Sequence, residues 1–359
     1  MTYAGQVLDR VALRGVALLL ACLAITSSAL AQVVPGGAVP AAGSGGSAEG
    51  NHAELGISDW LLRMHEASRT RAYIGTFVVS SGANMSSARI WHVCDGDQQM
   101  ERVESLSGAQ RSTFRRNDRV ITFLPESKTA VLERRESLGL FPELLKSADS
   151  SIAQFYSARQ TGAERVAGFD ADVVLLQPKD GLRFGYRVWS ERKSGLVVKL
   201  QTLDVDGRVV EQSAFSELQL DAPVSKGKLT QMMDNTDGYR IEKPDLVKTD
   251  AASEGWVLKS LVAGFKPMSC YKRPLASADG QGPESTLQWI FSDGLASVSL
   301  FVEAFDRRRH VHERSVTLGA TNTLTRRLSD KAGDWWLTVV GEVPRQTLVA
   351  FSMGLERKK

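Results

Sequence analysis

The alternation of apolar and polar residues changes period several times along the chain, and each change marks an element. Leu61, Met64 and Ser68 recur at helical spacing, with Trp60 and Ala67 beside them and Ser58 as a capping residue, so the pattern predicts a helix over 58–69. The period then drops to two. Short apolar-rich runs at 73–79, 88–93, 99–106, 111–115, 120–124 and 129–133 are separated by turn formers such as Ser81-Gly82-Ala83-Asn84 and Asp95-Gly96-Asp97. That rhythm predicts an antiparallel meander.

Helical spacing returns at Leu140, Leu144 and Leu145 and again at Ile152, Phe155 and Tyr156, predicting two helices within 140–159 broken at 147–151. Strand patterns resume at 173–177, 184–190, 196–203 and 209–218. The first domain, 57–222, is therefore expected to be α+β and mainly antiparallel β, a long curved sheet whose inserted helices enclose an apolar interior. The polar stretch 223–254 reads as an interdomain linker that leaves the relative orientation of the domains free. A smaller antiparallel α+β domain is expected over 255–356. Its strands lie at 287–292, 296–304, 311–318, 321–329 and 335–342, and Pro344 opens a helix with Leu348, Phe351 and Leu355 on one face.

The first 56 residues follow neither period. Arg10 and Arg14 precede an apolar run from Val16 to Ile25, and Ala29-Leu30-Ala31 has the small-x-small form of a cleavage site. That run is too short to span a bilayer, so 1–31 reads as a secretory signal peptide and the remainder as a soluble exported protein. Residues 32–56, rich in Gly, Ala, Ser and Pro, read as a flexible linker. Over 359 residues, 44 basic side chains nearly balance 41 acidic ones, which argues against a nucleic-acid partner. Two cysteines remain after Cys22, namely Cys94 and Cys270, and the sequence does not decide whether they pair.

Candidate chemistry is sparse. The chain has no G-x-S-x-G elbow, H-E-x-x-H, P-loop or G-x-G-x-x-G, so neither catalysis nor a cofactor is indicated. His310 and His312 would face one side of a strand and, with Asp306 or Glu313, could ligate a metal, but the neighbouring Arg307-Arg308-Arg309 favours an exposed polar face. Cys94, two residues after His92, is a weak candidate nucleophile.

Several blocks together carry a resemblance. Trp60-Leu61-Leu62-Arg63-Met64, Ala67-Ser68-Arg69-Thr70, Gly75-Thr76-Phe77-Val78, Glu101-Arg102, Arg116-Asn117-Asp118 and Phe123-Leu124-Pro125 open the series. Gly185-Tyr186-Arg187-Val188-Trp189, Gly264-Phe265, Ser292-Asp293-Gly294-Leu295 and Val339-Val340-Gly341-Glu342-Val343-Pro344 complete it. In this order, across 58–356, they resemble the RseB/MucB family of periplasmic regulators of the envelope-stress sigma factor. The 33–50 leader is longer than the resemblance accounts for, and neither cysteine falls in a matching motif.

The resemblance implies a large domain with the half-barrel fold of lipoprotein carriers and a small domain that helps to hold the periplasmic region of a membrane anti-sigma factor. Binding would shield that region from proteolysis, and lipopolysaccharide or mislocalised lipoprotein would displace the regulator. A periplasmic lipid or lipoprotein carrier is the alternative, although a carrier would need only the first domain. On this view Tyr73, Phe77, Ile90, Phe123, Leu140, Phe141, Leu144, Phe155 and Tyr186 are candidates to line an acyl-sized cavity. Arg115, Arg116, Arg134 and Arg135 are candidates for an anionic headgroup, since a guanidinium matches phosphate bidentately. The oligomeric state, homo-oligomer included, stays open.

Overall fold

The computed structural model describes residues 55–96, 98–134, 151–243, 246–275, 284–331 and 333–358. The signal-peptide reading, nearly all of the 32–56 leader, and Arg135, Leu140, Phe141 and Leu144 lie outside them.

Helix α1 (Ile57–Thr70) extends the expected 58–69 helix by one residue at each end. Gly56 is its N-cap, and the Gly56 N–H donates to Asp59 Oδ2 at 3.1 Å, in place of a Ser58 cap. Its buried face carries Ile57, Trp60, Leu61 and Met64. Each of the last three stabilises the domain by roughly 1.5–3 kcal/mol through removal of its side chain from water.

The expected meander is present as β1 (Tyr73–Ser81), β2 (Asn84–Asp95), β3 (Gln98–Ser105), β4 (Ser112–Arg116), β5 (Arg119–Leu124) and β6 (Thr129–Arg134). A second run follows a four-residue helix, α2 (Ile152–Phe155). It comprises β7 (Tyr156–Val166), β8 (Phe169–Pro178), β9 (Gly185–Glu191), β10 (Val197–Leu203) and β11 (Val209–Leu220). The two runs join where β1 pairs antiparallel with β11, making one 12-stranded sheet that ends in β7 at one edge.

The helix expected to continue to Arg159 stops at Phe155, and Tyr156–Val166 is instead a strand. Its side chains are almost all exposed, so it lacks the alternation that reveals half-buried strands. Ala167 and Gly168, both at positive φ, form the two-residue turn that folds it back onto β8.

The polar 223–254 stretch is more structured than a bare connection. It carries α3 (Lys226–Asp234), capped by Ser225 Oγ, and β12 (Arg240–Glu242), which pairs parallel with β6. Leu229 and Met233, one helical turn apart, pack α3 onto Met100, Phe114, Ile121, Phe123 and Ala130. Two buried residues in nine are too few to register against the polar background.

The small domain is a seven-stranded sheet in the order β13 (Val247–Lys248), β15 (Lys266–Leu275), β16 (Glu284–Ser292), β17 (Ser297–Ala304), β20 (Gly333–Gly341), β19 (Thr321–Asp330) and β18 (Arg314–Leu318). Helix α4 (Arg345–Gly354) buries Leu348 and Phe351, while Leu355 begins β21 (Leu355–Arg357), the partner of β14 (Trp256–Leu258). Strand β15 escapes sequence reading because Pro267 and Pro274 argue against a strand. The fold class is as expected: mainly antiparallel sheet, few helices, and a large and a small sheet domain.

Candidate functional site

The expected lining residues divide among three apolar clusters. Tyr73, Phe77 and Ile90 share one face of β1 and β2 with Val103, Phe215 and Leu218, and Phe215 meets both Phe77 and Tyr73 edge-on at 6.1 and 6.2 Å. Phe155 and Tyr186 belong to a second cluster, under Trp60, Leu61 and Met64 of α1. Phe123 lies in the third, beneath α3, against Phe114 and Tyr239.

One row of cross-strand partners on the Tyr73 face is polar. Tyr73 pairs with His92, His92 with Glu101, and Glu101 with Arg115. Tyr73 stacks on His92 with ring centroids 4.9 Å apart.

The four headgroup arginines do not converge. Adjacent strand residues point to opposite faces, so Arg115 joins the Tyr73 row while Arg116 turns toward α3. There Arg116 and Arg119 both reach Asp234, at 3.6 and 3.3 Å, and exposed Arg134 is the cross-strand partner of Arg119. Spacing in sequence had put Arg115 with its neighbour, but the period-2 geometry places Arg116, Arg119 and Arg134 in one row.

The domains meet along a seam that sequence reading did not find. Arg183, fully buried on the loop between β8 and β9, donates from Nε to Asp293 Oδ2 at 2.7 Å, and Tyr156 OH donates to the same oxygen at 3.2 Å. Asp293 Oδ1 accepts from the backbone N–H groups of Leu295 and Ala296, so both carboxylate oxygens are satisfied. The Arg183 guanidinium also donates to Asp180 and to the Ala263 carbonyl, and lies over the rings of Phe155 and Phe265 at 4.4 and 5.0 Å. Thr347 Oγ1 donates to the Leu182 carbonyl at 2.7 Å, docking α4 on the same loop. In this arrangement the two domains share a buried, hydrogen-bonded interface in addition to the connecting segment. A signal did exist: Tyr186, Gly264, Phe265 and Asp293, distant in sequence, all fall in the blocks that carry the resemblance.

A second contact places acids face to face. The β18–β19 turn brings the Ala320 N–H to Glu211 Oε2 at 3.4 Å. Burial raises Glu211, while burial and the Glu211 charge push half-buried Glu342 up to about 8. Tyr156 and Tyr186 are raised well above the usual phenol range, first by burial, so both stay neutral, and Tyr156 donates to Asp293.

His310 serves the small-domain core. Its ring stacks on Trp336 at 4.8 Å, Nδ1 accepts from the Asp306 N–H, and Nε2 stands 3.1 Å from Glu303. Among the described residues no cluster of three ligating side chains could hold a metal, and no helix is long and apolar enough to cross a membrane.

Comparison with known proteins places both domains. Residues 56–233 match the MucB/RseB N-terminal domain and 250–356 the MucB/RseB C-terminal domain. The sigma factor AlgU regulatory protein MucB of Pseudomonas aeruginosa is 30% identical over 291 residues, covering 81% of this chain and 87% of that protein. The sigma-E factor regulatory protein RseB of Escherichia coli K12 is 25% identical over 290 residues, covering 80% and 86%. The structure is similar to that of MucB in the Pseudomonas aeruginosa MucA/MucB complex, with a TM-score of 0.66 and 26% identity, over 84% of this chain and 99% of that one.

Proposed function

The chain belongs to the MucB/RseB family, and on that premise we propose that it is a periplasmic regulator that binds the periplasmic region of a membrane anti-sigma factor. The observation that carries this reading is that the similarity to MucB from its complex with MucA runs through both domains, across 99% of that chain. A lipid or lipoprotein carrier would have no use for a second domain locked to the first by Arg183 and Asp293. Bound in this way, the regulator shields the anti-sigma segment from proteolysis and keeps the sigma factor sequestered. The protein acts by binding, not by catalysis, after removal of residues 1–31.

Release by lipopolysaccharide or lipoprotein acyl chains is part of the same proposal. The apolar face of Tyr73, Phe77 and Ile90 supports acyl contact, and the row of Arg116, Arg119 and Arg134, the first two of which reach Asp234, supports a phosphate headgroup. Coupling requires lipid to prefer the released form, and a tenfold release corresponds to about 1.4 kcal/mol of preference.

The test is capture of the purified anti-sigma periplasmic domain by the full exported chain, with protection of that domain from its site-one protease as a second readout. Retention and protection are expected. A folded chain that binds acyl lipid and fails to retain the segment would establish the carrier instead.

A further inference from the structure

Cys94 and Cys270 are both free thiols in unlike surroundings. Cys270 is buried in the small-domain core, and burial, aided by the Glu254 and Asp250 charges, pushes its thiol up to about 11. Cys94 is half-buried at the end of β2, on the same face as His92 two residues earlier. His92 Nε2 stands 3.1 Å from Cys94 Sγ, and His92 Nδ1 faces Glu101 Oε2 at 3.5 Å across the strand pair. Arg115 lies opposite Glu101 on the next strand, and Tyr73 closes the other side of the imidazole. Thiol, imidazole and carboxylate therefore stand in line, with the two outer groups addressing different nitrogens of one ring.

The electrostatics agree with that geometry. Burial disfavours charge on His92, yet its contacts with Cys94 and with the Glu101 carboxylate outweigh burial and raise it to about 9. Burial would also raise Glu101, but the facing His92 imidazole and the Arg115 charge hold it below the usual carboxylate range. The imidazole is thus cationic at neutral pH. That cation stands 3.1 Å from Sγ, where it is placed to donate to the thiolate that leaves a disulfide under attack.

We propose that Cys94 is a thiol-exchange site at which this chain takes up small disulfides, with His92 and Glu101 as its positioning residues. Sγ attacks one sulfur of a disulfide R–S–S–R, the Cys94–S–S–R bond forms, and RS⁻ leaves. His92 gives its proton to the departing thiolate and is reprotonated by the one that Cys94 has released to water, so each disulfide yields one mixed disulfide and one free thiol with no further oxidant. The adduct sits on the face that carries Ile90 and Tyr73. The proposal stands independently of anti-sigma binding.

The test exposes the full chain to oxidised glutathione at neutral pH and follows Cys94 and Cys270 separately by peptide mass spectrometry, in the native state and in urea. Native Cys94 is expected to react at least about tenfold faster than the same thiol in the unfolded chain, and native Cys270 at least about tenfold slower than its own unfolded form. His92→Gln and Glu101→Gln should bring Cys94 down to the unfolded rate, with native circular dichroism showing that the fold persists. Native Cys94 reacting no faster than in urea would overturn the proposal, as would a folded His92→Gln chain reacting at the full rate. Should the variants unfold, the comparison within the unmodified chain decides by itself.

Discussion

Arg183 of the large domain and Asp293 of the small domain form an ion pair at 2.7 Å with both side chains withdrawn from water. Removing one partner of such a pair strands the other charge in a buried site, which costs about 3–5 kcal/mol. Arg183→Ala should therefore lower stability by that order in urea unfolding. The small domain should also become the first part cut in limited proteolysis.

Gly264 touches the same guanidinium. Its φ is +83°, and a Cβ there would lie 2.2 Å from Arg183 Nη2 and 2.8 Å from the Phe155 ring. Gly264→Ala should cost about 1–3 kcal/mol from backbone strain and displacement of Arg183. With Arg183→Ala in place the clash with the guanidinium is relieved while that with Phe155 remains, so the double variant should be less destabilised than the two single effects added together. Urea denaturation of the three variants measures this coupling.

Glu342 gives the seam a pH dependence. Its folded value of about 8 lies above the ordinary 4.5, so the folded chain retains a proton that the unfolded chain releases first. That contribution to stability is complete below pH 4.5 and is lost as pH rises through 8. Glu342→Gln should flatten the decline and stabilise the protein near its upper end by about 1 kcal/mol, a figure reduced for solvent screening of a half-buried carboxyl. Thermal unfolding across this pH range is the measurement.

The split of the arginines predicts a split in lipid response. Arg116→Ala with Arg134→Ala should weaken competition by lipopolysaccharide for the anti-sigma-bound regulator by on the order of tenfold, matching the loss of one or two charge-assisted bonds. Arg115→Ala, on the opposite face, should leave that competition unchanged and act instead on Glu101 and His92. A competition assay with purified components separates these outcomes.

Local pattern determined much of this protein. Nearly all strands of the two meanders, helix α1, the two-domain division and the family resemblance follow from period, turn residues and blocks of sequence, because each depends on neighbours within a few positions. Elements governed by distant partners were not legible. Exposed β7 has no alternation to display, α3 is ordered by an apolar patch on β3–β6, and β15 is a strand despite two prolines because β13 and β16 flank it. The faces of Arg115 and Arg116 follow from strand geometry, but which charges await them depends on α3 and β3. The spacing of His92 and Cys94 was legible, but the seam and the Glu101 end of that line needed the tertiary structure. A buried charge acquires its properties from groups that the fold brings within about 3 Å, and residues 110 positions apart, such as Arg183 and Asp293, share no local pattern that could announce them.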